Sequence, residues 1–314
     1  MEMLPATVTP FAMDGRIDVP SLERHLVETG SASGVTGIVV NGHAGEVCAL
    51  SRAERREVVA IARSVLPEDC TLVAGIEDHN LEQLNASARD AVEAGADELL
   101  VLPPFDVRPY RRLARRPQSV VELFANLSSA AGVPLIVFQY PESSGCAYSL
   151  ESLQAAAELE AVTGIKAATE SLADYVRLDA AVGGNVRIYA ASDGPLLLPM
   201  LLHGATGALI GIAAIATAVW SRLASAIDSG QAGEASTLFR DVCLPLSESL
   251  FDYHQPRTEV SPFAAVKFGL HAIGQIDTPF VRPPSISPDR ARCNRVLTAL
   301  AGANVELPSD NTAV

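Results

Sequence analysis

The chain has 314 residues, enough for two average domains and equally for one α/β barrel. It is 48% hydrophobic, 19% charged and 5% aromatic, a globular composition that excludes an intrinsically disordered chain. A net charge of −14 argues against nucleic acid or an anionic membrane as partner, because phosphate-rich surfaces require clustered Lys and Arg.

The opening residues, MEMLPATVTPF, carry no basic start and no long apolar segment, and no uninterrupted apolar stretch of about 18 residues follows. Cys48, Cys70, Cys146, Cys243 and Cys293 form no CxxC pair and are odd in number, so neither a disulfide framework nor a zinc ribbon is indicated. These features predict a cytoplasmic protein in a reducing compartment.

Short apolar runs at 6–10, 37–41, 71–75, 98–102, 135–140, 162–167, 186–191 and 208–212 read as strands. Longer amphipathic segments separate them. In 51–65, for example, Ser51 caps a helix and Glu54, three residues on, completes a capping box. The alternation predicts an α/β fold, a (β/α)8 TIM barrel over 1–216, with an open parallel sheet as the other reading. Arg108, Arg111, Arg112, Arg115 and Arg116, between Pro109 and Pro117, read as a solvated loop and helix start. After Thr217 the strand signals stop and helical patterns continue, including 262–273 and 289–302. Residues 217–314 are therefore assigned to the final barrel helix and a C-terminal helical extension, with a frayed polar end at 308–314.

In such a barrel the reactive groups sit at the C-terminal ends of the strands and in the loops that follow. That selects Thr9 and Pro10, 42–46, 77–79, Phe105 and Asp106, Tyr140, Lys166, Ser192 and Asp193, and 209–211. Lysine stands out: of 23 basic residues only two are lysines, Lys166 and Lys267. Lys166 lies in the apolar run 162–167, where burial would lower its pKa and free the amine to attack a carbonyl. The other reading is a lysine that snorkels to the barrel mouth or pairs with a carboxylate such as Glu170. Lys267 sits in a helical pattern with Phe263, Val266 and Leu270, which favours a structural or interface role.

These residues resemble the dihydrodipicolinate synthase and N-acetylneuraminate lyase family of class I aldolases. The markers are 42–46 in place of a Gly-Thr-Thr-Gly-Glu motif, Pro141 with Gly145, and Gly164-Ile165-Lys166 on strand six. Gly204-Ala205-Thr206-Gly207, Val266-Lys267 and Arg282-Pro283 follow in the same order. The resemblance implies that Lys166 forms the Schiff base, that no metal or organic cofactor is needed, and that the chain forms a homodimer or homotetramer.

Departures from the motif narrow the expectation. The two threonines fall on His43 and Ala44, the strand-five tyrosine on Phe138, the carboxylate-binding arginine on Ser143, and the relay tyrosine of a neighbouring subunit near Asp106. The resemblance therefore implies a reaction other than dihydrodipicolinate synthesis. Phe138 and Tyr140 are two apart on a strand and share a face, so Tyr140 is placed to supply the missing phenol one layer higher. His43, at the end of strand two, has a side-chain type that titrates near the working range and is the second proton carrier. Catalysis is thus assigned to Lys166, Tyr140 and His43, and substrate binding to Thr9, Gly42, Ala44, Phe138, Ser192 and Leu209. Glu46 is expected to bond backbone amides of its own loop. Ser192 and Asp193 either bind a substrate hydroxyl or cap a helix at 195–203.

The expected substrate is a small 2-oxo acid, such as pyruvate or a 2-keto-3-deoxy sugar acid, undergoing aldol cleavage, addition or dehydration. Two alternatives are a catalytically silent barrel that binds a 2-oxo acid or a protein partner, and a metal-dependent lyase using His79 with nearby carboxylates. The glycine-rich segments 42–45 and 204–211 lack the spacing of a nucleotide-binding loop.

Overall fold

The structure, a computed structural model, describes residues 1–103, 110–251 and 262–308. Phe105, Asp106, Arg108, Pro109 and the end at 309–314 lie outside the described residues. Eight parallel strands form one sheet: β1 (Glu2–Pro5), β2 (Gly37–Val40), β3 (Thr71–Ile76), β4 (Glu98–Val101), β5 (Leu135–Gln139), β6 (Val162–Ala167), β7 (Arg187–Ala190) and β8 (Gly207–Ile210). β1 pairs with β8, and it meets β2 through the Ala6–Val39 bridge and the Thr36 amide, which donates to Met3 O at 3.0 Å. The sheet thereby closes into a barrel.

Helices alternate with the strands: α1 (Val19–Gly30), α2 (Arg52–Val65), α3 (Leu81–Glu93), α4 (Pro117–Ala131), α5 (Leu150–Ala157), α6 (Leu172–Val182), α7 (Leu197–His203) and α8 (Thr217–Asp228). Beyond them lie α9 (Ala232–Leu238), α10 (Leu244–Phe251), α11 (Pro262–Ala272) and α12 (Arg290–Gly302). The capping box expected at α2 is present, with Ser51 and Glu54 each satisfying the other's backbone. Asp289 caps α12 by accepting from the Arg292 amide at 2.7 Å.

One strand is displaced from its expected position. The first strand runs over Glu2–Pro5, not 6–10. Thr7, Val8, Thr9 and Phe11 are fully buried, and burial was the signal read as strand. Ala6 bridges to Val39 and Phe11 to Ile17, and 7–11 is instead a buried exit loop, pinned where Thr7 donates from its amide to Val39 O at 2.9 Å.

Strand alternation sorts the core into two layers. Leu4, Val39, Val73, Leu100, Ile136, Phe138, Tyr189 and Leu209 fill the barrel interior, while residues such as Ile38, Leu72, Leu99, Val137, Ile165 and Ala208 face the helices. The N-terminal mouth is closed by polar groups. Arg187 pairs with Glu98 at 2.7 Å, and the Tyr189 hydroxyl donates to Glu2 at 2.6 Å. The opposite mouth carries the candidate chemistry.

Candidate active site

The loop after β2 is bent back on itself. Asn41 and Glu46 both adopt left-handed backbone conformations, at φ 55° and 53°, which non-glycine residues rarely do unless their surroundings hold them. Asn41 is held because its side-chain amide donates to Arg55 O on α2 at 2.8 Å. The loop can pass over β3 only because residue 75 is glycine: a Cβ there would lie 2.1 Å from Asn41 O.

Glu46 is held by an ion pair with Lys267 on α11. This corrects the expectation that Glu46 bonds amides of its own loop. Lys267 is fully buried, also donates to Phe280 O at 3.2 Å, and lies 4.1 Å from the centre of the Phe11 ring. The Arg282 guanidinium lies 4.2 Å from the same ring and pairs with Glu54 at 2.5 Å. Lys267 therefore ties the C-terminal helices to the loop after β2, a structural role. Sequence reasoning missed its partner, although the rarity of lysine pointed at the residue.

Within the loop, Gly42 and Ala44 are buried and His43 is exposed. Thr9 is buried beside it, 3.3 Å from where a Cβ on Gly45 would stand. His43 reaches across the mouth to β5. Its Nε2 shares a hydrogen bond with the Tyr140 hydroxyl. Its ring centre lies 5.4 Å from that of Phe138 and 5.3 Å from that of Tyr140, and the Phe138 and Tyr140 rings meet edge-on at 4.6 Å. The shared face expected for Phe138 and Tyr140 is thus observed, and the three rings form one cluster.

Lys166 lies directly across from Phe138 on β5 and from Tyr189 on β7. It is 8% exposed, with Nζ 4.0 Å from the Phe138 ring centre. Among the described residues it makes no ion pair. Glu170, the carboxylate considered for it, accepts instead from the Ser143 amide at 2.8 Å. Burial pushes the Lys166 ammonium down from 10.5 to about 8, against the opposing pull of Asp193. A pKa of about 8 leaves roughly a tenth of the amine neutral at pH 7, against a few in ten thousand at the ordinary value.

Ser192 is half-buried at the end of β7, and Leu209 is fully buried in the barrel interior beneath the mouth. Asp193 caps no helix: the cap of α7 is Leu196, without a side-chain bond. Its carboxylate accepts from the Ile212 amide at 2.9 Å, just past β8. Among the described residues no group of three or more His, Cys, Asp or Glu is arranged to hold a metal ion. His79 bonds through its backbone to Asp78, while Glu77 accepts from Cys48 at 3.2 Å.

Residues 1–301 match the profile of the dihydrodipicolinate synthetase family. The chain belongs to that family. Among curated members, the 4-hydroxy-tetrahydrodipicolinate synthase of Methanococcoides burtonii is 29% identical over 296 residues, covering 94% of this chain and 95% of the relative. That of Methanothrix thermoacetophila is 28% identical over 301 residues, covering 95% and 96%. Among solved structures, the chloride-inhibited dihydrodipicolinate synthase of Acinetobacter baumannii, complexed with pyruvate, superposes with a TM-score of 0.83 at 26% identity, covering 97% of this chain and 99% of that one. As a member of the dihydrodipicolinate synthetase family the chain is a lyase of the class I aldolase type, built on the family's TIM barrel. No described helix is long and apolar enough to cross a membrane.

Proposed function

We propose that this chain is a Schiff-base lyase whose Lys166 condenses with C2 of a small 2-oxo acid, pyruvate in the first instance. The observation that carries the reading is the Lys166 amine: buried at the C-terminal end of β6, without an ion pair among the described residues, and driven down to about 8. Nucleophilic attack needs such a neutral amine, and the resulting iminium draws electrons from C3.

In this reading the backbone amides of Gly42 and Ala44 receive the substrate carboxylate, beside the Thr9 hydroxyl. Phe138, Ser192 and Leu209 shape the space around the imine. The hydrogen-bonded pair of Tyr140 and His43 moves protons, in the role that a strand-five tyrosine and a threonine would otherwise share. A phenol already bonded to an imidazole favours an active lyase over a silent binder. The relatives' own reaction is not assigned to this chain, because Ser143 stands where the resemblance expects an arginine for a second carboxylate. Homo-oligomerisation and a cytoplasmic site of action complete the proposal, the first tested by sedimentation.

Borohydride trapping tests the chemistry. Reduction in the presence of pyruvate should add the mass of the reduced adduct to one peptide, the one containing Lys166, and Lys166→Ala should remove it. A folded protein that traps no 2-oxo acid overturns the proposal.

A further inference from the structure

We infer that the substrate of Lys166 carries an uncharged, apolar distal end, a phenyl-sized or branched alkyl group beyond C4, and that this end lies in the cavity between α5 and α6. The inference rests on the reading of Lys166 given above and adds the substrate class to it.

The cavity has a volume of about 280 Å3 and lies beside the C-terminal ends of β5 and β6. A cavity of about 150 Å3 is enough for benzene, so a phenyl-sized group fits with room to spare. Its floor is made by Gln139, Tyr148, Leu153 and Leu178, all buried. The Gln139 amide is already used, donating to Tyr148 O at 3.2 Å and accepting from the Tyr148 amide at 3.0 Å. Leu153 and Leu178 present the apolar sides of α5 and α6. Leu150, in the first turn of α5, stands on the rim and is 37% exposed, an apolar side chain that the fold itself leaves uncovered.

Tyr140 joins this cavity to the reacting centre. It lines the cavity from the end of β5, while its hydroxyl bonds His43 and its ring meets that of Phe138 at 4.6 Å. Lys166 Nζ stands 4.0 Å from the centre of the same Phe138 ring. Thr169, also a lining residue, follows Lys166 by three positions, and the β5–β6 seam is held to its end by the Ala168 amide, which donates to Gln139 O at 3.0 Å. A substrate held at C2 and extended along the Tyr140 ring enters the cavity from C4 onward. The surrounding charges exclude an acidic end. Glu142, Glu170 and Asp174 line the cavity with Arg177, and Arg177 is already paired with Asp174. Glu142 is paired with Arg115, and Glu170 accepts from the Ser143 amide. A carboxylate there would meet three others with Arg177 already spent, and a cationic end would find none of the three free, whereas an apolar group loses only water.

The test compares three 2-oxo acids in borohydride trapping: pyruvate, 2-oxo-4-phenylbutanoate and 2-oxoadipate, the last of similar reach but ending in a carboxylate. Half-maximal trapping of the phenyl acid should need at least about tenfold less acid than pyruvate, since each buried methylene is worth about fourfold. The 2-oxoadipate should gain nothing over pyruvate. Leu150→Trp fills the cavity from its rim and Leu153→Phe from its floor, and each should bring the phenyl acid to within about threefold of pyruvate. A phenyl acid trapped no better than pyruvate by the parent, a gain that survives both substitutions, or a preference for 2-oxoadipate overturns the inference. Absence of trapping with every acid overturns the Lys166 reading instead, and the cavity is then probed by NMR with benzyl alcohol alone. Shifted methyl signals of Leu150, Leu153 and Leu178, lost in Leu150→Trp, would keep the cavity as an apolar site. Unmoved signals would overturn that as well.

Discussion

The two lysines of this protein occupy settings that resemble each other closely, yet of the two only Lys267 makes an ion pair among the described residues. Each is buried, each sits about 4 Å over a phenylalanine ring, and burial depresses each to about 8. Lys267 is spent on an ion pair with Glu46 and a hydrogen bond to Phe280 O. Lys166 makes no ion pair among the described residues and lies at the C-terminal end of β6. A depressed pKa therefore does not distinguish a nucleophile from a structural ammonium. The distinction lies in whether the nitrogen's hydrogen-bonding capacity is already used and whether a carbonyl can reach it.

The sharpest way to break this comparison is to remove each lysine in turn. Lys166→Met should abolish trapping and turnover while leaving the fold intact by circular dichroism. Lys267→Met strands the Glu46 carboxylate in the core and should cost about 3–5 kcal/mol in urea unfolding, as buried pairs do when one partner is removed. The double change Lys267→Met with Glu46→Gln should recover much of that loss, because no buried charge is left uncompensated. Equal stability losses from both lysines would erase the distinction drawn here.

Tyr140→Phe sharpens the comparison from the site's own side. It should leave the Lys166 imine trappable and slow turnover by about a hundredfold or more, the usual worth of one positioned proton carrier. His43→Ala should behave alike, and the two changes together should cost little more than either alone, since they act as one pair. Loss of trapping in Tyr140→Phe would mean that the phenol builds the pocket and does not move protons.

The smallest expected effect is on stability against pH. A lysine whose folded pKa is lowered binds fewer protons folded than unfolded between about 8 and 10.5, so stability rises with pH across that window and is lowest below it. Removing the uncompensated member should flatten that rise. Lys166→Met should accordingly be more stable than the parent by about 1–3 kcal/mol at pH 7 and by less near pH 10, as read from urea midpoints. A flat profile in the parent would mean that neither amine is depressed.

Much of this was legible in the chain. Alternating apolar runs and amphipathic segments mark the barrel, and the capping box at Ser51 and Glu54 marks a helix start, because both signals are local. The scarcity of lysine pointed to Lys166, and the spacing of Phe138 and Tyr140 predicted their common face. The reading places the first strand some four residues late, since burial in the 7–11 loop imitates the apolar pattern of a strand without the ladder to β8 that Glu2–Pro5 makes. Asp193 was read as a cap or a hydroxyl ligand because its acceptor role toward Ile212 joins β7 to β8 and has no local signature.

By itself the sequence determined the period, order and number of the elements and the rarity of its amines, since these depend on residues close together along the chain. Only the tertiary structure decided that one buried amine meets Glu46 from 221 positions away while the other meets none among the described residues. The reason is physical: burial lowers the pKa of either lysine, but the charge that compensates it comes from another strand or helix, and closing the barrel is what selects that partner.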